Sequence, residues 1–468
     1  MGIDRLLGTH NQLYEHKPSA GLSLVPPIDA DQVRSFLGKS HFWEDENLPN
    51  IIAGILARLA FFDTQTTIYT DPKPGETIGR RKDNMVGGSD FERAYLFLEE
   101  IFGIHEADSE VGIQYFPGTI NPQRKGAIIY PKDLEEIIER VDSVYFADDE
   151  VEPIDLYRPV IHFHLDTVSV NNQKGSLATL ETHIDKETGL IYTRGANDMK
   201  GQTALAAVVM EMCKQNNLPL PVFLITTDEE KAGKNGGTKL ANSVKGNVFI
   251  DWEPVAGLAG CFVNEVEPVL GVGLGTSRQL DLKAMKQIQL TIGQFYSSDP
   301  IASCNDHEVF VSVNPSNFNE PSRATMGTLL AILRKYAKGV EDPGICYYID
   351  NEKKRTSYLK KPLLSIVAQA LKNHYPLQKS DRQITRGSNT KLLGGVFGRR
   401  FRRGAFTGNI NTIGFFNKES ISNYLVMGVD EAGGGRHSST EAVYLHQLVQ
   451  LLFTTYKIIE LLKAEDQI

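Results

Sequence analysis

The stretch PVIHFHLDTV, residues 159–168, decides the fold. It begins with a short apolar run, which is typical of a buried β-strand, and it turns polar where such a strand should end. Three side chains near this end are candidate metal-site residues: His162, His164 and Asp166. Two architectures start in this way, a barrel that uses His162 with His164 and an open sheet that uses His164 with Asp166. The rest of the sequence has to distinguish them.

Strand and helix patterns alternate after this stretch. GQTALAAVVMEMCKQ (201–215) predicts a helix, whereas PVFLITT (221–227) and NVFID (247–251) predict buried strands. This alternation predicts the α/β class, with a mostly parallel sheet flanked by helices. Because ligands of such sheets bind at the carboxyl ends of the strands, polar residues at those ends are the first candidates for a site.

The length of 468 residues exceeds the usual size of one hydrophobic core and predicts more than one domain. Within 262–352, KQIQLTIG (286–293) and HEVFVSV (307–313) predict strands, and SRATMGTLLAILRKYA (322–337) predicts an amphipathic helix. We therefore expect a small inserted α+β domain at 262–352, comparable to a lid or dimerisation domain. The main domain then consists of two segments, 1–261 and 353–468.

Composition argues against several classes of function. Lys and Arg total 49 against 58 Asp and Glu, a net charge of −9, which disfavours a nucleic-acid or anionic-membrane binder. The four cysteines are widely spaced without a C-x-x-C pair, so we expect neither a zinc knuckle nor a disulfide framework. No signal-peptide pattern and no apolar run of about 18 residues occurs. We therefore expect a cytoplasmic protein that acts on a small molecule or short peptide.

Five polar clusters follow predicted strands or lie in a glycine-rich stretch. Singly, each has a structural explanation: Asp198 suits a helix cap, and Glu229 with Glu230 suits a solvated charged turn. Together they supply imidazole and carboxylate groups, the ligands that Zn²⁺ and similar ions bind. One metal site explains all five better than five coincidences do. The clusters are His164-Leu165-Asp166, Asn197-Asp198-Met199-Lys200-Gly201, Asp228-Glu229-Glu230, Asp251-Trp252-Glu253-Pro254 and the segment around His437.

The combination and order of these clusters resemble the co-catalytic zinc metallopeptidase and deacylase superfamily. This superfamily includes aminoacylase, succinyl-diaminopimelate desuccinylase, acetylornithine deacetylase, glutamate-releasing carboxypeptidase and peptidase T. The resemblance runs from about Pro159 to Glu441. The matching motifs are H-x-D-T-V at 164–168, G-x-x-D-M-K-G at 195–201, the paired acids at 228–230, the E-P step at 253–254 and the late histidine with its following glutamate at 437–441.

The resemblance implies two divalent metal ions, Zn²⁺ in the first place, with Co²⁺ or Mn²⁺ as substitutes. A bridging carboxylate would contact both ions, and a pair of further ligands would complete each site. The implied ligands are Asp198 as the bridge, His164 with Glu253 at one ion, and Glu230 with His437 at the other. Asp251 is the alternative to Glu253, because relatives use either acid at this step.

The resemblance also implies catalytic roles. Glu229 would be the general base that takes a proton from the attacking water and delivers it to the leaving amine. Asp166 would accept a hydrogen bond from the far ring nitrogen of His164 and so orient that ligand. The expected reaction is hydrolysis of the amide bond of a peptide or an N-acyl amino acid.

Two features depart from the relatives' pattern, and one further candidate residue follows it. His164 follows an unusually long leader, so residues 1–150 include a non-standard N-terminal extension. Relatives often carry a substrate-binding histidine on the inserted domain, where His307 is the candidate here and an ordinary surface histidine is the alternative. Arg386 is the candidate for binding a substrate carboxylate, which a guanidinium pairs with bidentately.

Two alternative functions stay open on the sequence. The chain could be a catalytically inactive relative that acts as a binding or regulatory protein, or an amidohydrolase-type barrel enzyme with His162 and His164 as a ligand pair. A homodimer is compatible with the resemblance.

Overall fold

The structure of this protein is a computed structural model that includes side chains. No helix within the described residues is long and apolar enough to cross a membrane. The described residues are 21–65, 67–71, 80–86, 90–147, 151–167, 176–228, 235–254, 263–266, 269–275, 284, 287–288, 290–292, 301–304, 308–313, 322–336, 346–351, 355–358, 360–374, 404–406, 420–429, 432–433 and 440–465.

The helices in these residues agree closely with the apolar periodicity of the sequence, and two short 3-10 turns add to them at Phe42–Glu44 and Lys132–Leu134. The helices are α1 Ala30–Leu37, α2 Leu48–Phe61, α3 Phe91–Phe102, α4 Glu135–Tyr145, α5 Lys200–Thr203, α6 Ala206–Gln215, α7 Gly237–Ser243, α8 Ser322–Tyr336, α9 Lys361–His374 and α10 Leu445–Ala464.

The strands are short and most carry β-branched or aromatic residues. In the first half of the chain they are β1 Leu22–Leu24, β2 Thr67–Asp71, β3 Arg80–Val86, β4 Val111–Phe116, β5 Gly126–Pro131, β6 Ile154–Asp155, β7 Val160–His164, β8 His183–Asp185, β9 Leu190–Tyr192, β10 Val222–Thr226, β11 Val244–Lys245 and β12 Phe249–Trp252. In the second half they are β13 Val263–Val266, β14 Val269–Gly275, β15 Ile301–Cys304, β16 Glu308–Val313, β17 Cys346–Asn351, β18 Arg355–Tyr358, β19 Gly404–Phe406, β20 Ser420–Ser422, β21 Tyr424–Met427, β22 Ala432–Gly433 and β23 Glu441–Tyr444.

A ten-stranded sheet dominates the described structure. Its order is β20-β18-β13-β21-β12-β7-β10-β5-β4, with β19 paired to β13. The four central strands, β21, β12, β7 and β10, run parallel, and antiparallel strands flank them on both sides. The predicted α/β class with a large sheet flanked by helices is confirmed, and the parallel pairing is concentrated at the centre of the sheet.

Each face of the sheet supports a hydrophobic core, so the main domain has three layers. Ile161 and Phe163 of β7 point into one core, together with buried residues of α2, α3, α6 and α10. Val160 points into the other core, together with Ile138 of α4 and Leu240 of α7. Because side chains alternate along a strand, His162 and His164 lie on the same face as Val160.

A separate four-stranded antiparallel sheet lies between residues 269 and 351, in the order β15-β16-β14-β17. Helix α8 contacts β14 and β16 of this sheet. The neighbouring strands β13 and β18 belong instead to the large sheet. The exact domain limits, 1–261, 262–352 and 353–468, remain a prediction.

The prediction of a strand at 286–293 is wrong, because the described residues of this segment are helical. Ile288 and Ile292 are buried, whereas Leu290 between them is 62% exposed. A spacing of four residues suits one face of a strand and one face of a helix equally well, and only the exposure of Leu290 distinguishes them.

The N-terminal region contributes to the main domain. Strands β4 and β5 extend the large sheet beyond β10. Helices α2 and α3 bury apolar side chains such as Ile55 and Leu98 in the first core. These four elements of residues 1–150 are therefore integral to the main domain, and the proposed extension within this range remains a prediction.

Candidate metal centre

The carboxyl ends of the central parallel strands bring the predicted clusters together. His164 is the last residue of β7 and pairs with Thr226 of β10. On the other side of β7, His162 pairs with Asp251 of β12. Glu253 follows Asp251 by two residues, so the register brings it to the level of His164. The position of these side chains follows from strand pairing across more than 60 residues of sequence.

Three of the predicted ligands form a buried cluster: His164, Asp198 and Glu253. Each offers one ligand atom, and these atoms all lie within 4.8 Å of one another. The three side chains are at most 3% exposed. One imidazole nitrogen and two carboxylate oxygens suit Zn²⁺ and related divalent ions. Two carboxylates buried side by side also require a compensating positive charge, which such an ion supplies.

His164 is oriented through its second ring nitrogen. Nδ1 lies 2.8 Å from the backbone carbonyl oxygen of Asp166 and 3.3 Å from its carboxylate Oδ1. A proton on Nδ1 is therefore donated to Asp166, and Nε2 faces Asp198 Oδ1 at 3.1 Å. This tautomer leaves Nε2 available to a metal ion. Asp166 is fully buried beside the ligand, and its nearest contact to the ring is made by the main chain rather than by the carboxylate.

Asp198 lies in the turn between β9 and α5, where the Asp198–Met199 peptide bond is cis. The backbone N–H groups of Asn197 and Asp198 both donate to Glu441 Oε1, at 3.3 Å each. Glu441 Oε2 accepts a hydrogen bond of 2.6 Å from Arg194. The sequence motifs contained Glu441, but their pattern assigned no role to Glu441 or Arg194.

His162 and Asp251 form a separate buried network. The Nδ1 atom of His162 donates to Asp251 Oδ1 at 2.6 Å, and its Nε2 lies 3.0 Å from the hydroxyl of Thr226. The hydroxyl of Tyr424 donates to Asp251 Oδ2 at 2.7 Å. Both ring nitrogens of His162 therefore have protein partners, and it is Glu253, not Asp251, that joins the cluster with His164.

Burial perturbs two charged groups near this edge of the sheet. Desolvation raises the pKa of Asp228 to about 7, and the neighbouring Asp166 contributes to the increase, while the backbone N–H groups of Gly237 and Asn235 oppose it. Desolvation also lowers the pKa of Lys200 to about 7, although Asp63 partly offsets this effect. The Nζ atom of Lys200 donates to the carbonyl oxygen of Phe62 at 2.9 Å.

The remaining predicted site residues lie outside the described residues. They comprise the predicted base, two predicted ligands and two predicted substrate contacts. These residues are Glu229, Glu230, His437, His307 and Arg386. Their roles remain predictions.

A buried histidine with two carboxylates at the carboxyl edge of a centrally parallel sheet defines a candidate metal site in a protein of the α/β class. The sequence model of peptidase family M20/M25/M40 matches residues 160–460, which is more than half of the chain. The chain therefore belongs to peptidase family M20/M25/M40. Membership confirms the predicted superfamily and supports the predicted function, metal-dependent hydrolysis of a peptide or N-acyl amino acid.

Two solved structures of dipeptidases share the fold. Human carnosine dipeptidase 1 has a TM-score of 0.51 at 10% identity, with 93% of this chain and 99% of that chain covered. The di-peptidase Dug1p from Saccharomyces cerevisiae has a TM-score of 0.51 at 11% identity, with 92% and 98% covered. At these identities the likeness concerns the fold alone. No curated protein sequence matches the chain at a significant level.

Proposed function

We propose that this chain is a two-ion peptidase or N-acyl amino acid hydrolase that uses Zn²⁺. The observation that carries the proposal is the buried cluster of His164, Asp198 and Glu253, whose ligand atoms lie within 4.8 Å of one another. The proposed bridge is Asp198, and His164 with Glu253 completes the first site. Glu230 and His437 are proposed for the second site on the basis of the family motifs.

The surroundings of the cluster support this assignment. His164 offers Nε2 because Nδ1 donates to Asp166. Glu253 and Asp198 are almost completely buried and therefore need a cation close by. Bound ions would lower the pKa of a water molecule so that it can attack an amide carbonyl near neutral pH.

The proton transfer is assigned to Glu229. This residue directly follows Asp228, whose carboxylate accepts hydrogen bonds from the backbone N–H groups of Asn235 and Gly237. Asp228 thus ties together the two ends of the segment that contains Glu229 and Glu230. As a general base, the Glu229 carboxylate would take a proton from the water and deliver it to the leaving amine.

The barrel alternative is contradicted by the sheet order. The described strands form an open sheet with β4 and β20 at its two ends. In addition, His162 uses both ring nitrogens in contacts with Asp251 and Thr226. His162 and His164 are therefore not the pair of metal ligands that the barrel alternative requires.

We propose that the substrates are small and that dipeptides are the favoured class among them. The two structures that share the fold at a TM-score of 0.51 are those of a carnosine dipeptidase and a di-peptidase. Arg386 and His307 are the proposed substrate contacts, with Arg386 binding a carboxylate. We also propose that the protein is a cytoplasmic homodimer that binds neither nucleic acid nor a membrane.

Metal analysis combined with hydrolysis assays tests it. The purified protein is loaded with Zn²⁺, dialysed and analysed by mass spectrometry for metal per chain. The same sample is incubated with a panel of dipeptides and N-acetyl amino acids, and the released amine is quantified. We expect two ions per chain and turnover that a chelator abolishes and Zn²⁺ restores. Bound metal without turnover on either panel would favour the non-catalytic relative, and a chain that binds no metal would contradict the site itself.

A further inference from the structure

We infer that Glu441 is a positioning residue for the metal centre: it holds the backbone of Asp198 in place and is itself held by Arg194. The inference rests on the proposed function, since it takes Asp198 to be a metal ligand. It gives a role to the glutamate at the end of the late histidine motif, which the family motifs and the proposed mechanism leave without one.

Strand pairing brings Glu441 to the Asp198 turn. Strand β23 pairs antiparallel with β9, and Ala442 stands opposite Tyr192, the last residue of β9. Glu441 precedes Ala442, so it lies beside the chain as it leaves β9 and enters the turn. The pairing of β9 with β23 thus brings Glu441 close to Asp198, although more than 240 residues separate them in sequence.

The hydrogen bonds of Glu441 fix the turn on the N-terminal side of the ligand. Its Oε1 accepts the N–H groups of Asn197 and Asp198, at 3.3 Å each. A second tie comes from the Asn197 side chain, whose Nδ2 donates to the carbonyl oxygen of Ala442 at 3.2 Å. Two consecutive peptide groups are thus held against the start of β23. The Asp198 carboxylate projects from this fixed backbone.

The charge of Glu441 is compensated within the turn. Arg194 donates to Oε2 at 2.6 Å, and the two side chains are only 2% and 1% exposed. A carboxylate accepts N–H groups more strongly than a neutral oxygen does. The ion pair with Arg194 therefore supports the hydrogen bonds that Glu441 accepts from Asn197 and Asp198.

Zinc affinity distinguishes positioning from general stabilisation. The experiment measures the affinity of the full-length protein for Zn²⁺ alone by competition with a chromophoric chelator, and the urea midpoint of the metal-free protein. The variants are Glu441→Ala, which removes both acceptor oxygens, and Glu441→Gln, which keeps a neutral acceptor of the same shape. Ile138→Ala is the matched control, because Ile138 is completely buried in the second core, whereas Ala196 and Met199 of the turn belong to the first.

We expect Glu441→Ala to weaken zinc binding by about 10-fold to 100-fold, the usual effect of removing a partner that orients a metal ligand. Glu441→Gln should fall between this variant and the wild type, because a neutral oxygen accepts the two N–H groups less strongly. Ile138→Ala should lower the urea midpoint and leave zinc affinity unchanged.

Three results would overturn the inference. They are zinc affinity of the Glu441→Gln protein equal to that of the wild type, unchanged affinity in Glu441→Ala, and a loss in Ile138→Ala as large as that in the Glu441 variants. The Gln variant provides the answer if the Ala variant does not fold. A wild-type protein that binds no Zn²⁺ would instead contradict the proposed function.

Discussion

Replacing Asp251 and Glu253 separately distinguishes the two acids that the sequence offers as ligands. In the structure, Glu253 lies with His164 and Asp198, whereas Asp251 accepts hydrogen bonds from His162 and Tyr424. We therefore expect Asp251→Ala to destabilise the protein while it still binds metal. Glu253→Ala should have the opposite effect, with weak metal binding and an undiminished stability of the metal-free protein.

The magnitude for Asp251→Ala follows from its two partners. The carboxylate is completely buried and accepts bonds of 2.6 Å from His162 and 2.7 Å from Tyr424. Hydrogen bonds to a charged group contribute about 1.5 to 3 kcal/mol each, so losing both lowers the free energy of unfolding by about 3 to 6 kcal/mol. That is a large part of the roughly 5 to 15 kcal/mol by which native proteins are stable.

Glu253→Ala removes a carboxylate from a site where Asp198 lies within 4.8 Å. Without a metal ion the two carboxylates repel each other, so the substitution relieves repulsion in the metal-free protein. With a metal ion present, the same substitution removes a ligand. The stability and the affinity therefore change in different directions.

The assay combines urea unfolding with metal analysis. Unfolding of the metal-free proteins is followed by tryptophan fluorescence, since Trp252 lies between the two acids in sequence and is completely buried. Tyr424→Phe is the matched control: it removes one of the two bonds and keeps the ring that stacks on Phe249, so about half of the loss is expected. Metal loss in Asp251→Ala with normal zinc content in Glu253→Ala would refute the reasoning.

Further predictions concern the predicted base, the two histidines and the metal. Glu229→Gln should abolish turnover and leave zinc content near normal; loss of zinc would mean that Glu229 and Glu230 have exchanged roles. His164→Ala should reduce zinc content whereas His162→Ala should not, as measured by mass spectrometry on dialysed protein, and the reverse pattern would contradict the assignment. Removal of Zn²⁺ should lower the free energy of unfolding by about 2.7 kcal/mol for each ion, relative to zinc at 100 times its dissociation constant, and an unchanged urea midpoint would argue against a folded-state site.

The secondary structure of the main domain was largely predictable from local patterns. The helix predicted at 201–215 corresponds to α5 and α6, and the strands predicted at 221–227 and 247–251 correspond to β10 and β12. These segments bury a continuous apolar face, so the spacing of their apolar residues in the sequence indicates whether they form a helix or a strand. At 286–293 the spacing of apolar residues was ambiguous, and the helix there became recognisable only from the exposure of Leu290 between the buried Ile288 and Ile292.

The candidate site was predictable where a motif supplies the ligand directly. His164, Asp198 and Glu253 each belong to a short motif at a strand end, and the structure brings them together in one buried cluster. Arg194 and Glu441 were missed as functional residues, because their contact depends on the pairing of β9 with β23. A buried ion pair between residues far apart in sequence leaves no local signal.

By itself, the sequence of this protein determined its α/β class, its family motifs and the chemistry of its proposed metal ligands. These depend on local periodicity and on the kinds of side chain present. Only the tertiary structure decided between Asp251 and Glu253 and between His162 and His164 as members of the cluster. Residues two apart on a strand face the same side, so their sequence context is nearly identical. The neighbouring strands determine which of them meets Asp198 and which is enclosed by Thr226 and Tyr424.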